Sequence, residues 1–511
     1  MCRHLSIRNI AGEVLDLSLS PRGAHATIVV ADVKVAIANS SWSVPSSCQQ
    51  VIGRDLGPLQ DTDNVTLDSY QVVVSIESPI RDLSEGDLPQ RKQAIVDLTR
   101  LGPRGGNEAV TAVIECFEDG EYSVRKAAAK ALPKIVGGSR QQAITAVIAR
   151  LEHRLHSVRS IALEGLPLLT ERGDDHAITA VIRNIGHRNP YIREASLQAL
   201  RGIAERGDTR AMDAVLLCLK DHVGFVRTAA LEVLPHIAKR GDQLAISAAL
   251  EFLNDLHSCV RQAALHAIAH VAEQEDQHAL LAVKGSLDDR ESVVRHAAVH
   301  ALGKVASRGD LSAMEAAIAR ADDQSVRVRH EAVHTIAHIG DAGDQGAIAA
   351  LIERVLDESF LVRLAAVRAL GELACSDGRA ITAVIGRLQD SVYCVIQGAA
   401  KTLTMITAKG DTRATVAVTE LLERCDVDAA VRCAAVHVLA QIAGTDQRRA
   451  VGATIECLKD ADETVREMAT QAIPQMTAPG DQHVSEELTK LLKHHIRYVR
   501  EAAAKVIVKI T

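Results

Sequence analysis

The chain has 511 residues, carries a formal net charge of -7, and is 47% hydrophobic but only 2% aromatic. The mild acidity gives no general reason to expect nucleic-acid binding, and no apolar run is long enough to predict a membrane span. The start, MCRHLSIRNIAGEV, contains no apolar stretch, so we expect no secretory signal, and the scattered cysteines predict reduced thiols in a cytoplasmic or nuclear protein.

Residues 1–80 predict a small domain with both strands and helix. LSIRNIAGEVLDLSLSP has two alternating runs around a Gly and predicts a hairpin, ADVKVAIANS predicts a short amphipathic helix, and VPSSCQQVI and VTLDSYQVVVSI predict short strands. This order resembles ubiquitin, without the terminal Gly pair. The resemblance implies a ubiquitin-like (β-grasp) docking domain that is not conjugated to substrates. The alternative is an unrelated small β-rich cap over the open end of the structure formed by residues 88–511.

Residues 81–87 are predicted as a linker, and a repeat of 34 residues occupies 88–511. A Val-Arg or Ile-Arg pair recurs at this spacing, as at Arg261, Arg295 and Arg329, with Ala three residues after the Arg and usually Asp six residues before it. Each of about twelve units predicts two helices, typified by DQLAISAALEFL and SCVRQAALHAIAHVA. An Asp is expected to cap the first helix, and a Gly to end the second in a left-handed C-cap. One helix pair cannot bury its own apolar face, so the units are expected to stack into a mainly α structure, an α-solenoid.

The columns of Asp, Arg and Ala resemble HEAT repeats, most of all the short HEAT-like repeats of the phycobilin lyase type. The resemblance covers residues 88–511. In that family the Asp and the Arg link successive units through a ladder of hydrogen bonds, and the resemblance implies such a ladder here. Tetratricopeptide repeats need aromatic columns that a chain with 2% aromatic residues cannot supply, and the T-P-L-H-x-A string of ankyrin repeats is absent.

The string HEAVH at 330–334 has the H-E-x-x-H spelling of zinc hydrolases. Positions one, five and nine after the repeat Arg lie on one stripe of the second helix, because they are four residues apart. His changes charge near neutral pH, which suits a pH-sensitive partner surface. The alternative is a solvated polar face that spread as the units were duplicated. The residues predicted to bind a partner are His236, His266, His270, His296, His300, His330, Glu331, His334 and His338.

Two metal enzymes are alternatives to this surface. A zinc protease needs a third ligand and a substrate cleft, which the repeat context does not supply. VRHEAVHTIAHIG resembles the R-H-E-A strings of deoxyhypusine hydroxylase, which is also built from short HEAT-like repeats. The resemblance implies iron at His330 and Glu331, but that family uses four His-Glu pairs and this chain has one. We therefore expect no catalytic residue and no cofactor, with iron only under this alternative. Any metal is expected within one helix, because neighbouring helices lie too far apart for easy bridging.

These observations predict a non-enzymatic scaffold or adaptor for protein–protein interaction. A partner would bind the concave surface lined by the second helices, and the ubiquitin-like domain would be a second docking module. The expected partners are other proteins, with neither nucleic acid nor membrane, in the cytoplasm or the nucleus. The alternatives are a deoxyhypusine-hydroxylase-like, metal-dependent oxidoreductase and a chromophore-lyase-like chaperone, which the repeat type alone suggests.

Overall fold

The computed structural model describes residues 3–9, 14–19, 30–40, 44–53, 57–58, 69–74, 76–424, 426–444, 447–478 and 480–510. They form two compact units, Met1–Lys239 and Arg240–Thr511, which we call the N-terminal unit and the C-terminal unit. The chain is mainly α-helical. No helix among the described residues is long and apolar enough to cross a membrane.

The N-terminal unit begins with a five-stranded sheet and one helix. The strands are β1 Arg3–Asn9, β2 Val14–Leu19, β3 Gln49–Gly53, β4 Gly57–Pro58 and β5 Ser69–Val74, in the order β2-β1-β5-β3-β4. The central pair, β1 and β5, is parallel and the other pairs are antiparallel. Helix α1, Val30–Ala38, follows β2 and buries Val33 and Ile37.

Strands β1, β2, β3 and β5 overlap the runs that predicted strands, whereas the short β4 was not predicted. The predicted hairpin is the antiparallel pair β1 and β2, in which Ile7 is opposite Leu15. The predicted strand over 65–76 is observed as β5, and its first residues, 65–68, lie outside the described residues. A turn of 3-10 helix, Ser46–Cys48, leads into β3 and buries the Cys48 side chain.

The structure differs from the linker predicted over 81–87. Helix α2, Glu77–Glu85, occupies most of that segment, buries Pro79 and Leu83, and packs against α3, Leu88–Leu101. Asp87 separates the two helices and caps α3 in a reciprocal arrangement with Gln90. The string ESPIRDLSEGD is polar and contains Pro and Gly, so its two buried apolar side chains did not indicate a helix.

Beyond α2 the N-terminal unit consists of α3 and then alternating first and second helices. Every second helix has 14 residues, and the short 3-10 turns that end several first helices lead into the next loop. The first helices are α4 Gly106–Glu115, α6 Arg140–Arg150, α8 Asp175–Arg183 and α10 Thr209–Leu219. The second helices are α5 Tyr122–Ile135, α7 His156–Leu169, α9 Pro190–Ile203 and α11 Gly224–Ile237.

The C-terminal unit continues the same alternation to its end. Its first helices are α12 Gln243–Leu250, α14 Gln277–Gly285, α16 Leu311–Arg320, α18 Gln345–Arg354, α20 Gly378–Gly386, α22 Thr412–Leu422, α24 Arg448–Glu456 and α26 Gln482–Leu491. Its second helices are α13 Ser258–Val271, α15 Ser292–Val305, α17 Val326–Ile339, α19 Phe360–Leu373, α21 Tyr393–Ile406, α23 Ala429–Ile442, α25 Glu463–Met476 and α27 Arg497–Ile510.

The core consists of small and branched aliphatic side chains. In α15 the residue before the repeat Arg is Val294 and the Ala three residues after it is Ala298, and both have no exposed surface. The small Ala lets the second helices of adjacent units pack side by side, and each fully buried Val or Leu contributes about 1.5–3 kcal/mol. Phe117 is the only Phe or Tyr side chain among the described residues that is fully buried. The other Phe and Tyr side chains whose burial is described are half-buried or exposed.

A ladder of bidentate ion pairs joins successive units. The repeat Arg donates from Nε and Nη2 to the Asp carboxylate of the next unit, and from Nη1 to the backbone carbonyl of its own Asp position. For Arg261 and Asp289 both side-chain hydrogen bonds measure 2.7 Å. This is the ladder that the HEAT resemblance implied. The bidentate pairs are Arg193–Asp221, Arg261–Asp289, Arg295–Asp323, Arg329–Asp357, Arg363–Asp390 and Arg432–Asp460. Arg91 and Asp119 form a single ionic contact of 2.9 Å through Nε.

The ladder changes where His stands in place of the Asp. At two such junctions the preceding Arg lies over a Tyr ring of the next unit: Arg159 is 5.6 Å from Tyr191, and Arg466 is 4.2 Å from Tyr498. The ladder Asp also accepts a backbone N–H two residues on, as Asp289 does from Glu291. His187 and His494 accept the equivalent backbone N–H at Nδ1, so the imidazole replaces the carboxylate in closing the loop. The Tyr ring replaces the carboxylate as the group that the Arg contacts.

The turn between units differs from the predicted left-handed C-cap. Helix α15 ends at Val305 with an extended Ala306, and Gly309 comes later with φ +81°. Its N–H donates to the carbonyl of Ile339, the last residue of the next second helix, at 2.8 Å. The Gly therefore links two units instead of closing its own helix. Glu275 and Ser376 take the same left-handed position without being Gly. The Asp after the Gly caps the next first helix as predicted, as Asp310 does for α16.

Candidate interaction surface

Three consecutive second helices of the C-terminal unit carry a band of histidines. Helices α13, α15 and α17 pack side by side, and positions four residues apart on each helix lie on one face. The outer side chains of this band are half-buried or exposed. We call the band the histidine stripe, which consists of His266, His270, His296, His300, His330, Glu331, His334 and His338.

Glu331 connects α17 to the helix before it. Its Oε1 accepts a hydrogen bond of 2.8 Å from Nδ1 of His300, and its Oε2 lies 3.8 Å from Nε2 of His296. The hydrogen bond from His300 lowers the pKa of Glu331, while burial acts in the opposite direction. Glu331 is therefore an ionised carboxylate between two imidazoles. This side chain reaches across to the second helix of the preceding repeat unit.

The imidazoles also influence one another. The rings of His266 and His300 are 6.1 Å apart, and those of His330 and His334 are 4.6 Å apart. Burial, followed by the positive charge of neighbouring histidines, lowers the pKa of His266 and of His330. Glu331 acts in the opposite direction on both. At neutral pH these two rings are uncharged, and protonation of either one is opposed by the imidazoles beside it.

Three further residues were predicted to bind a partner: His270, His338 and His236. His270 donates from Nδ1 to the backbone carbonyl of His266 at 2.8 Å, and its ring is exposed, as is that of His338. His236 is half-buried on α11 and belongs to the N-terminal unit. The eight other predicted residues all belong to the C-terminal unit.

We did not predict that cationic side chains extend the stripe. Lys304 occupies the last stripe position of α15, and Arg368 and Lys401 occupy the central stripe position of α19 and α21, which pack next in order after α17. All three are exposed. The signal was in the sequence, because Arg368 and Lys401 stand in the same repeat column as His300 and His334, and Lys304 stands in that of His338.

The side chains do not fit the metal alternatives. Among the described residues, no group of three or more His, Cys, Asp and Glu side chains is arranged to hold a metal ion. The single His-Glu pair of the stripe points Glu331 toward two imidazoles of α15, with which it forms a hydrogen bond and a longer ionic contact. A di-iron centre needs several carboxylates and imidazoles around shared metals. The described side chains of the stripe therefore do not supply the ligand set of a di-iron or zinc centre.

The family model that matches the chain describes HEAT repeats, over residues 246–327 and 314–404. Those residues include the histidine stripe. No curated protein matches the chain in sequence.

Solved structures similar to this chain are helical repeat proteins of the karyopherin type. Importin beta matches with a TM-score of 0.53 and 14% identity over 85% of this chain and 68% of its own. Kap121p bound to Nup53p matches with a TM-score of 0.55 and 14% identity, over 85% of this chain and 52% of Kap121p. Kap95 in complex with Nup1 matches with a TM-score of 0.53 and 12% identity, over 85% of this chain and 68% of Kap95. The chain thus spans about half the length of Kap121p, and similarity at these identities concerns the fold alone.

Proposed function

We propose that the chain is a protein-binding scaffold of about twelve HEAT-like units without chemistry of its own. The observation that carries this proposal is the histidine stripe together with Lys304, Arg368 and Lys401, a continuous polar band on adjacent second helices. The solved structures of similar fold include Kap121p with Nup53p and Kap95 with Nup1, two examples of such a fold engaged with another protein. A cytoplasmic or nuclear location remains a prediction.

A second part of the proposal concerns residues 1–80. We propose that they form a ubiquitin-like domain that docks a second protein. The support is the strand order β2-β1-β5-β3-β4, with the first and last strands parallel at its centre, and the helix that follows the hairpin. The competing proposal of a β-rich cap requires only that this sheet cover apolar surface. The contact between Ser47 and Asp97 of α3 fits either proposal.

Affinity capture with purified chain as bait, followed by mass spectrometry, tests both parts. We expect proteins that the intact chain captures to be lost when His270, His334 and His338 are replaced by Gln. A matched variant, with Gln at His222, His278 and His483, changes three exposed histidines outside the stripe and should keep them. Capture that is identical for both variants would remove the stripe from the proposal. Turnover of a small-molecule substrate without any captured protein would contradict the scaffold itself.

Truncation tests the N-terminal domain separately. The cut belongs before Glu77, because removing residues 1–80 would divide α2 and disturb its packing on α3. A docking domain predicts that the truncated chain loses some partners but keeps those that require the stripe. A cap predicts instead that the truncated chain loses stability around α2 and α3, measured by hydrogen exchange, with an unchanged set of partners.

A further inference from the structure

The histidine stripe can become cationic although the chain as a whole is acidic. The chain carries a net charge of -7, whereas the stripe and its equivalent positions on α19 and α21 contain seven histidines and only two acids, Glu331 and Glu372. The fixed cations of the same band are Lys304, Arg368 and Lys401. With neutral imidazoles the band is close to neutral, and each proton that it takes up makes it more cationic.

Glu331 shows which chemistry these imidazoles accept. Its carboxylate contacts His300 at 2.8 Å and His296 at 3.8 Å, although the usual residue at its column is a small Ala. One carboxylate is thus already bound between two rings of the preceding helix. The other imidazoles of the stripe offer the same ring N–H donors. Among the described contacts, none of them has a carboxylate at hydrogen-bond distance.

We propose that the stripe binds an acidic segment of a partner protein, and that it does so by taking up protons. This inference rests on the proposed scaffold function and specifies the partner for its central surface. Carboxylates of the partner would extend the contact that Glu331 makes with His296 and His300. A nucleic acid is the less suitable anion, because no Phe, Tyr or Trp stands at the stripe positions to stack with bases.

The direction of the pH dependence follows from the groups that face one another. His266 faces His270 of its own helix and His296 and His300 of α15, while His330 faces His334 and His296. Burial and these imidazoles outweigh the opposing carboxylate of Glu331 and lower the pKa of His266 and His330, so these two rings resist protonation in the free stripe. A bound carboxylate favours the charged imidazole and raises the pKa of the rings in the complex. Binding is then strongest below the pKa of the imidazoles in the free protein, and it weakens as the pH rises through their higher pKa in the complex.

The experiment measures binding of a rhodamine-labelled oligo-aspartate peptide of about twelve residues, which stays ionised down to about pH 5. Fluorescence anisotropy with the full chain, at constant ionic strength, should give binding at least tenfold tighter at about pH 5.5 than at about pH 7.5, a range that spans the titration of imidazole. The variant with Gln at His270, His334 and His338 should lose most of this difference. The variant with Gln at His222, His278 and His483 should retain it.

Three results would overturn the inference. They are no binding at either pH, binding of equal strength at both, and equal losses in the two triple variants. Tighter binding of a single-stranded DNA of similar length than of the peptide would assign the surface to nucleic acid and would also overturn it. Affinity capture separates this failure from that of the scaffold: stripe-dependent partners with no pH effect contradict only the acidic, proton-linked recognition.

Discussion

Replacing Asp289 with Asn tests how strongly the ladder holds adjacent units together. Asp289 accepts two hydrogen bonds of 2.7 Å from Arg261, and only 7% of the Arg261 side chain is exposed. The Asn keeps the shape and the bond from the Glu291 N–H, but it leaves the buried guanidinium without a counter-charge. Removing one partner of a buried pair costs about 3–5 kcal/mol of stability. Because the bond from the Glu291 N–H remains, we expect Asp289→Asn to lower the free energy of unfolding by about 3 kcal/mol.

The neighbouring Asp288 provides a matched control. It pairs with Arg320 at 2.9 Å, but 82% of its side chain is exposed. An exposed pair of this kind contributes about 0–1 kcal/mol, so Asp288→Asn makes the same charge change at adjacent sequence for a small loss. Repeat units open locally, so peptide-resolved hydrogen exchange over α13 and α15 is more informative than a single melting temperature. We expect roughly 150-fold faster exchange for Asp289→Asn and less than about 5-fold for Asp288→Asn.

The pH dependence gives an independent check. Burial alone would raise the pKa of Asp289, but the hydrogen bonds from Arg261 and from the Glu291 N–H outweigh it and lower the pKa. The stabilisation by the pair is therefore complete above the pKa of the unfolded chain, about 3.9, and is lost as the pH falls through the lower folded value. Equal effects of the two Asn variants at neutral pH, or a difference that persists in acid, would refute this account.

Three smaller changes test other features. Glu275→Gly should stabilise the C-terminal unit by about 0.5–1 kcal/mol, measured by urea unfolding, because Glu275 has φ +68° and Gly relieves that strain; a loss would show that its side chain matters more. Thr335→Val should cost about 1 kcal/mol, because the buried hydroxyl donates to the carbonyl of Val299 in the preceding helix; Thr404→Val, a half-buried Thr that bonds only within α21, should cost less in the same assay. Native iodoacetamide labelling near pH 8 should modify the exposed Cys259 and Cys375, while Cys457 stays unmodified because burial raises its pKa to about 12; early labelling of Cys457 would contradict its burial.

The repeat could be predicted because each unit restates the same local rules. Val260 and Ala264 of one unit have equivalents in the others, and their period of 34 residues fixed the two helices and the Asp–Arg contact between units. The sheet strands were also predictable, since alternation marks a half-buried strand wherever it occurs. Both signals depend on several residues agreeing, which makes them robust to single substitutions.

Features that depend on one residue in its three-dimensional surroundings were not predictable. Gly309 and a C-capping Gly have the same sequence context, and only the structure shows that its N–H reaches Ile339. Glu331 was recognised as an exception to its Ala column, but the direction of its side chain depends on His296 and His300 in another helix. Helix α2 was not predicted because its local sequence has no helical pattern of apolar residues. The helix is stabilised by packing on α3, and Leu83 is one of its buried side chains.

The two junctions with Tyr have a consequence for how such a chain can grow. At Arg159 and Arg466 the upstream unit is unchanged, and the downstream unit alone decides whether the guanidinium meets a carboxylate or a ring. The connector of the downstream unit carries Asp in most units, His followed four residues later by Tyr at His187 and His494, and His without that Tyr at His153. The repeat Arg is thus followed by more than one kind of connector in this chain, a property that insertion or exchange of whole repeat units by recombination requires.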